Sequence, residues 1–385
     1  MPGYEIMGEE EKQALIDLFD ANGGILFAHG FDGYRKGIYK VREFEKKVSE
    51  HFGNKYCQAV SSGSAALLVA LKALGIKPGD EVITQSFTFV ATVEAIIAAG
   101  AVPVITEIDE TFNIDPEDFQ AKITEKTKVV IPVHMAGTAA DMGRIRQIAR
   151  ENNIKVLEDA AQSSGTKLNG KYLGTIGDMG IFSLDFAKNF TCGEGGLILT
   201  NNEDYYQEAR CFHDHGHEYN TSLPRGIDTR HTAGFNYRMS EMQAAVGIVQ
   251  LGKLNYIVET QRKNKKHIKK ALESCPVKFK KVLNPEEESG DTLIFTLSSP
   301  EKARTIANGL YQENIGTKNL PDAINWHFAG TWKHMLKDFY GMEDIEKLWP
   351  LSRNLLESSI ALPINIKMSE EEKDKMVEVV ARLVR

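Results

Sequence analysis

Asp185-Phe-Ala-Lys188-Asn-Phe-Thr-Cys-Gly-Glu-Gly-Gly-Leu-Ile-Leu-Thr200 carries Lys188 between two short apolar runs. Gly180-Ile181-Phe182-Ser183-Leu184 enters the stretch and Leu197-Ile198-Leu199 leaves it. Both runs are bounded by glycine and rich in strand formers, which predicts a tight connection between two buried strands. Glycines at 193, 195 and 196 allow positive φ and close approach of the backbone to a bound group. A lysine held there and stripped of water loses charge readily and attacks carbonyls, forming a Schiff base. Taken alone, the stretch does not outweigh the ordinary reading of a solvated loop lysine.

Outward from this stretch the chain alternates strands and helices. Strands are predicted at Tyr56 to Val60, Val82 to Thr84, Val102 to Ile108, Val129 to Val133 and Val156 to Glu158. Helices are predicted at Ser64 to Leu74, Thr88 to Ala99, Pro116 to Ile123 and Met142 to Asn152. The alternation implies an α/β fold with a largely parallel sheet covered on both faces, whose ligands bind beyond the carboxyl ends of the strands. Ser61-Ser62-Gly63-Ser64, Gln85-Ser86, His134 and Asp159 all fall at such ends. Before the sheet, Glu9 to Phe19 and Val41 to Phe52 read as helices, and the Gly/aromatic segment 23–39 between them either covers a site or packs at an interface. After it, Met239 to Gly252 reads as one helix and the Lys-rich run that follows as another, its lysines forming a solvated face. Beyond the loop 284–291 come a strand at Thr292 to Leu297, a helix at Pro300 to Glu313 and a closing helix with a Ser369/Glu372 capping box. These set two expected units: 1–255, the large cofactor-binding domain with an N-terminal arm, and 256–385, a smaller α/β domain.

Composition narrows the classes. At 385 residues, with 42% hydrophobic and 26% charged residues, the chain reads as a soluble globular protein large enough for two cores. A net charge of -7 argues against nucleic acid as a partner. No apolar run suits a membrane span, and no signal peptide is evident at the N-terminus. The dispersed Cys57, Cys192, Cys211 and Cys275 read as reduced thiols of a cytoplasmic protein.

Two further stretches give Lys188 a chemical context. Ser61-Ser62-Gly63-Ser64-Ala65-Ala66 leaves a strand and opens a helix, so its amides and hydroxyls suit a phosphate. It matches neither the Walker nor the dinucleotide spacing, and alone it is an ordinary serine cap. Asp159 ends a buried strand and needs a cationic or hydrogen-bonding partner to stay ionised, unless it merely caps the next segment. A protonated pyridine nitrogen is such a partner. An anion site, a carboxylate for the ring nitrogen and a lysine for an aldehyde together suit pyridoxal 5'-phosphate.

The motifs Ser-Gly-Ser-Ala-Ala-Leu (62–67), Pro-Gly-Asp-Glu-Val-Ile-Thr (78–84), Phe-Thr-Phe-Val-Ala-Thr (87–92) and Ile-Pro-Val-His (131–134) resemble the DegT-type sugar aminotransferases. So do Glu-Asp-Ala-Ala-Gln (158–162), Lys-Asn-Phe-Thr-Cys-Gly-Glu-Gly-Gly (188–196) and Gly-Phe-Asn-Tyr-Arg-Met-Ser (234–240). The likeness runs in order from about residue 40 to 255 and continues more loosely to the end. It implies the aspartate-aminotransferase-like fold and a homodimer with shared sites. Carried over by position, Lys188 binds the cofactor aldehyde, Asp159 pairs with the ring nitrogen, and Ser64, Ala65 and Ser183 hold the phosphate. Phe89 lies on the ring, Gln162 contacts its 3-hydroxyl side, and Asn236 reaches the phosphate of the neighbouring subunit's cofactor. A dehydratase branch of the family carries histidine at the lysine position; Lys188 argues for transamination instead.

The implied reaction moves an amino group from an amino-acid donor, glutamate by the resemblance, to a keto or aldehyde sugar. The segment 29–45 resembles the branch that makes 8-amino-3,8-dideoxy-manno-octulosonate for lipopolysaccharide. Basic residues 35, 36, 225, 230 and 238 suit a carboxylate or a nucleotide diphosphate equally well. The competing readings are a nucleotide-sugar aminotransferase, a sugar dehydratase and a non-enzymatic cofactor or sugar sensor. His213, His215 and His217 do not share one helical face, and no metal is expected. His134 reads as a hydrogen-bonded strand-end residue, while Trp326 and His327 either border the substrate or pack at the surface.

Overall fold

The computed structural model of the protein describes residues 2–220, 222–223 and 225–385, the side chains of Pro2 and Arg225 excepted. The strands are β1 (Tyr56–Val60), β2 (Glu81–Gln85), β3 (Val102–Thr106), β4 (Thr127–Ile131), β5 (Lys155–Asp159), β6 (Lys167–Leu168), β7 (Lys171–Tyr172), β8 (Met179–Ser183), β9 (Gly196–Thr200), β10 (Lys278–Phe279), β11 (Thr292–Thr296) and β12 (Ser359–Pro363). Seven of them form one sheet in the order β1-β9-β8-β5-β4-β2-β3. Its pairings from β8 through β5, β4 and β2 to β3 are parallel, while β9 runs antiparallel to both β8 and β1. The mostly parallel α/β architecture read from the sequence is therefore the one observed.

Burial on both faces explains why these strands are largely apolar rather than strictly alternating. In β9, Ile198 joins the core under helix Gly63–Ala73, whereas Leu197 and Leu199 join the core under helices Lys40–Phe52 and Glu241–Ala271. Successive strand side chains point to opposite faces, so both faces of such a strand favour apolar residues.

The small sheet β10-β11-β12 is antiparallel and uses the same alternation. Leu293, Phe295, Ile360 and Leu362 pack with helices Pro300–Gln312 and Glu370–Val384. Ile294 and Ala361, from the same strands, belong to the core of the large sheet. The small sheet is thus bound through its second face to the first unit. The Ser369/Glu372 capping box of the closing helix is present.

Two helix expectations are corrected. The two helices expected on either side of Gly252 are one helix of 31 residues, Glu241–Ala271, opened by a Ser240/Gln243 capping box. Residue 255, the expected domain boundary, lies inside it, and division of the chain there remains a proposal. Gly247 is required by packing rather than chain termination, since a Cβ there would sit 2.7 Å from the Phe44 ring. The helix expected from Thr88 begins at Ala91. The residues before it pair with 326–329 instead: Thr88 N donates to His327 O and Val90 N to Trp326 O, each at 2.9 Å. Long-range pairing here overrides local helix propensity.

Segment 23–39 is tied down through Arg35, which is fully buried. Its guanidinium donates to Phe27 O at 2.7 Å and Gly30 O at 3.2 Å and faces Glu241 at 3.7 Å. Among the described residues no helix is long and apolar enough to cross a membrane.

Candidate active site

A cavity of about 630 Å³ opens at the carboxyl ends of the central strands, and Lys188 and Asp159 both line it. Lys188 lies on the connection between β8 and β9. Gly3 N donates to its carbonyl at 3.1 Å, and Tyr4 stacks on neighbouring Phe186 at 4.6 Å, so the N-terminal arm braces the lysine loop. Burial pushes the Lys188 ammonium below the ordinary lysine range, against the opposing pull of Asp185 and Asp159. A lysine so placed has an increased share of free amine, the nucleophilic form.

Asp159 ends β5 with 3% of its surface exposed. Thr92 Oγ1 donates to its Oδ2 at 2.9 Å and Ala161 N to its Oδ1 at 3.1 Å. Burial still holds the carboxyl above its usual range, because those two donors and the nearby Lys188 and His134 offset only part of the desolvation. A cationic ring nitrogen is the type of partner that compensates a buried carboxylate.

At the opposite wall, helix Gly63–Ala73 points its N-terminus into the cavity through Ser62, Gly63 and Ser64. The Ser62 hydroxyl accepts from Ala65 N at 3.1 Å, so Ala65 is engaged in the cap and does not line the cavity. First-turn amides ahead of it have no intrahelical acceptor and favour an anion. Ser183 closes on this turn so tightly that a Cβ on Gly63 would lie 2.7 Å from the Ser183 Cβ. Pyridoxal phosphate fits this donor set: an amine for its aldehyde, a buried carboxylate for its ring nitrogen, and helix amides with two serine hydroxyls for its phosphate.

Gln162 and Phe89 also line the cavity. Gln162 Oε1 accepts from Asn319 Nδ2 at 3.3 Å, which turns the Nε2 donor toward other partners. Phe89 lies near-parallel to Trp326 with centroids 6.3 Å apart, forming an aromatic rim. His327 sits behind it; burial lowers its imidazole to about 4, and its Nδ1 lies 2.8 Å from Ala323 O. The ring is therefore neutral, with Nδ1 carrying the proton and Nε2 left as an acceptor.

Asn236 is exposed and does not line this chain's cavity. It pairs with Asp214 in an isolated bridge. Of the basic residues singled out earlier, Arg35 is spent inside the fold and Arg238 is bonded to Asp214. The side chain of Arg225 lies outside the described residues. His134 donates through Nε2 to Glu158 at 3.0 Å, while its Nδ1 accepts from Ala140 N. His213 contacts Gln58 and Arg210 O, and His217 pairs with Asp228. Cavity residues that sequence reasoning missed include Tyr4, Asn189, Glu194, Asp291, Thr317 and Lys318. Asn189 and Glu194 lie within the quoted 188–196 motif, whereas Tyr4, Asp291, Thr317 and Lys318 belong to no motif that marks them.

The chain belongs to the DegT/DnrJ/EryC1/StrS aminotransferase family, whose model matches residues 32–381. It is 34% identical over 353 residues to the pleiotropic regulatory protein of Geobacillus stearothermophilus, covering 90% of this chain and 89% of that protein. It is 41% identical over 216 residues to the GDP-perosamine synthase of Caulobacter vibrioides, covering 56% of this chain and 57% of the relative. Among solved structures, the Bacillus subtilis ntda protein with bound cofactor PMP superposes with a TM-score of 0.84 at 27% identity, covering all of this chain and 84% of that one. The protein is a pyridoxal-phosphate-dependent sugar aminotransferase.

Proposed function

We propose that Lys188 and Asp159 are the catalytic pair of this transaminase. The observation that carries the reading is their convergence on one cavity with the N-terminus of helix Gly63–Ala73. When bound, pyridoxal phosphate supplies an electron-withdrawing ring that stabilises negative charge at the substrate carbon. The protein's own residues do the rest. Lys188 would hold the cofactor between turnovers, and its freed amine would then take a proton from, or return one to, the substrate carbon that gives or receives nitrogen. Asp159 keeps the ring nitrogen protonated. Ser64, Ser183 and the first-turn amides anchor the phosphate, Phe89 covers the ring face, and Gln162 meets the 3-hydroxyl side. Ala65 contributes to the anchor by holding the Ser62 cap.

The acceptor we favour is the keto or aldehyde precursor of 8-amino-3,8-dideoxy-manno-octulosonate, with glutamate as donor. Segment 29–45 supports it, and the burial of Arg35 and the engagement of Arg238 weaken the case for these residues as a diphosphate clamp. A nucleotide-sugar acceptor is the second reading, favoured by the likeness to GDP-perosamine synthase. We place the enzyme in the cytoplasm as a homodimer in which exposed Asn236 completes the partner's site. Glutamate-dependent amination of sugar acids and nucleotide sugars, assayed side by side, separates the two acceptors. Co-expression of Lys188→Ala chains with Asn236→Ala chains tests the dimer: mixed dimers should regain activity that neither parent has. Mixed dimers no more active than the parents would place both residues in one chain's site.

A further inference from the structure

One wall of the cavity is built where four segments meet. Gly137 N donates to Gln162 O and Ser289 N to Gly137 O, each at 3.0 Å. Asn319 Nδ2 reaches Gln162 Oε1 at 3.3 Å, and Lys318 Nζ reaches Asp291 Oδ2 at 2.5 Å. Residues 135–137, 162–164, 289–291 and 317–319 thereby form one surface, although they span nearly half the chain.

Three features of this wall serve no purpose yet described. Ser164 is 2% exposed and lines the cavity, yet its Oγ has no hydrogen-bond partner among the described residues. Thr317 Oγ1, on the same cavity, is likewise buried without a partner. Orphaned buried hydroxyls are costly unless something polar meets them. Lys318 also lines the cavity and, apart from Lys188, is its only lysine or arginine among the described residues. Asp291 fixes it in place: Thr292 Oγ1 and Ser289 Oγ engage Oδ1 at 3.1 and 3.3 Å, leaving Oδ2 to Lys318. An ammonium carries three donors, and this bond uses one.

We propose that Ser164, Thr317 and Lys318 form a subsite for the carboxylate-bearing, hydroxylated end of the acceptor sugar. The inference rests on the sugar-transaminase reading and deepens it. Charge selects the ligand class. Lys318 is already offset by Asp291, and Asp159, Asp185 and Glu194 line the rest of the cavity, so this wall suits a single negative charge better than a diphosphate. A single carboxylate on Lys318, with flanking hydroxyls on Ser164 and Thr317, matches both the charge and the orphaned groups. The amino donor's carboxylates can also accept from these hydroxyls, so the donor and acceptor half-reactions must be read separately.

The test uses cofactor-loaded enzyme and reads each half-reaction by the absorbance of the bound cofactor. L-Glutamate drives the first half. 3-Deoxy-8-oxo-manno-octulosonate or its C1 carboxamide drives the second. Wild type should prefer the acid over the amide by roughly 10- to 100-fold, the scale of a hydrogen bond to a charged group. Lys318→Met should erase that preference. Ser164→Ala and Thr317→Val should each slow the acid half-reaction by roughly 10-fold, well beyond any change with glutamate. If loss of Lys318 alone unfolds the chain, the Asp291→Asn/Lys318→Met double variant removes the pair together and serves instead. Equal rates with acid and amide in wild type overturn the subsite, as do equal losses in both half-reactions or amination of nucleotide sugars in place of the acid. Absence of any spectral response to amino donors would instead overturn the transaminase reading on which the proposal stands.

Discussion

Lys188 and Lys280 are both withdrawn from water, yet they have different fates. Burial pushes Lys280 down to about 7, aided by Lys265 and opposed by Glu288, Asp291 and Asp109. Its Nζ donates to Met135 O at 2.8 Å, and it is only 7% exposed. Lys188 is also pushed down by burial, but it opens onto a cavity that holds Asp159 and a helix N-terminus. A perturbed lysine is therefore not in itself a site. Access to a cavity, and partners for the group that would occupy it, separate a nucleophile from a cross-link between segments.

The strongest way to break this comparison is to remove each lysine in turn. Lys188→Ala should abolish the absorbance of covalently bound cofactor and lower turnover by roughly 10²–10⁴-fold or more. Lys280→Met should leave turnover far less affected. Comparable activity losses in the two variants would end the distinction. Asp159→Asn comes next. It should fold as wild type by circular dichroism but lose roughly 10²-fold or more in turnover, because the ring nitrogen loses its charged partner. A variant as fast as wild type would reduce Asp159 to a cap for Ala161.

Lys280 should appear in stability rather than rate. Below pH 7 both folded and unfolded chains carry its proton; between about 7 and the ordinary 10.5 only the unfolded chain does. Stability contributed by this group therefore rises with pH across that window, by at most about 5 kcal/mol. Denaturant titrations of wild type and Lys280→Met from pH 7 to 10 check it: the rise should be missing in the variant.

The smallest effect belongs to Glu45, in helix Lys40–Phe52 and away from the active-site cavity. Burial raises its carboxyl to about 7, against hydrogen bonding from Ala59 N and the charges of Arg210 and Arg42. Between pH 4.5 and 7 the folded chain holds a proton that the unfolded chain has lost, so stability falls as pH rises through that window. Because Glu45 is only partly buried, the fall should be about 2 kcal/mol. Glu45→Gln should flatten it in denaturant titrations while preserving the acceptor for Ala59 N. An unchanged pH slope would remove Glu45 from the account.

The parts of the site that were legible in the sequence are those fixed by local geometry. Asp159 and Ser183 end strands, Lys188 sits in a glycine-rich connection and Ser64 opens a helix. Each is set by a few neighbouring residues, and a parallel sheet gathers strand ends on one edge. Lys318 and Asp291 escaped notice because nothing near either in sequence announces the other; they meet because both segments bond along β12, Lys318 N donating to Ala361 O and Ile364 N to Asp291 O. Ala65 reads as a phosphate contact because it follows the serines, but the Ser62 cap takes its amide. The fusion of two expected helices into Glu241–Ala271 has a similar cause. Gly252 looks like a stop, while buried Leu251, Leu254 and Val258 keep the helix running over the sheet.

By itself, then, the order of residues determined the alternation of strands and helices, the strand-end chemistry and the family. Those depend on periodicity and on motifs a few residues long. Only the tertiary structure decided which lysine faces a cavity and which is sealed against a carbonyl, and which hydroxyls remain without partners. It also decided that Arg35 is an internal tie rather than an anion receptor. Burial and hydrogen-bond partners are properties of segments distant in the chain, and desolvation acts only once those segments have closed around a group.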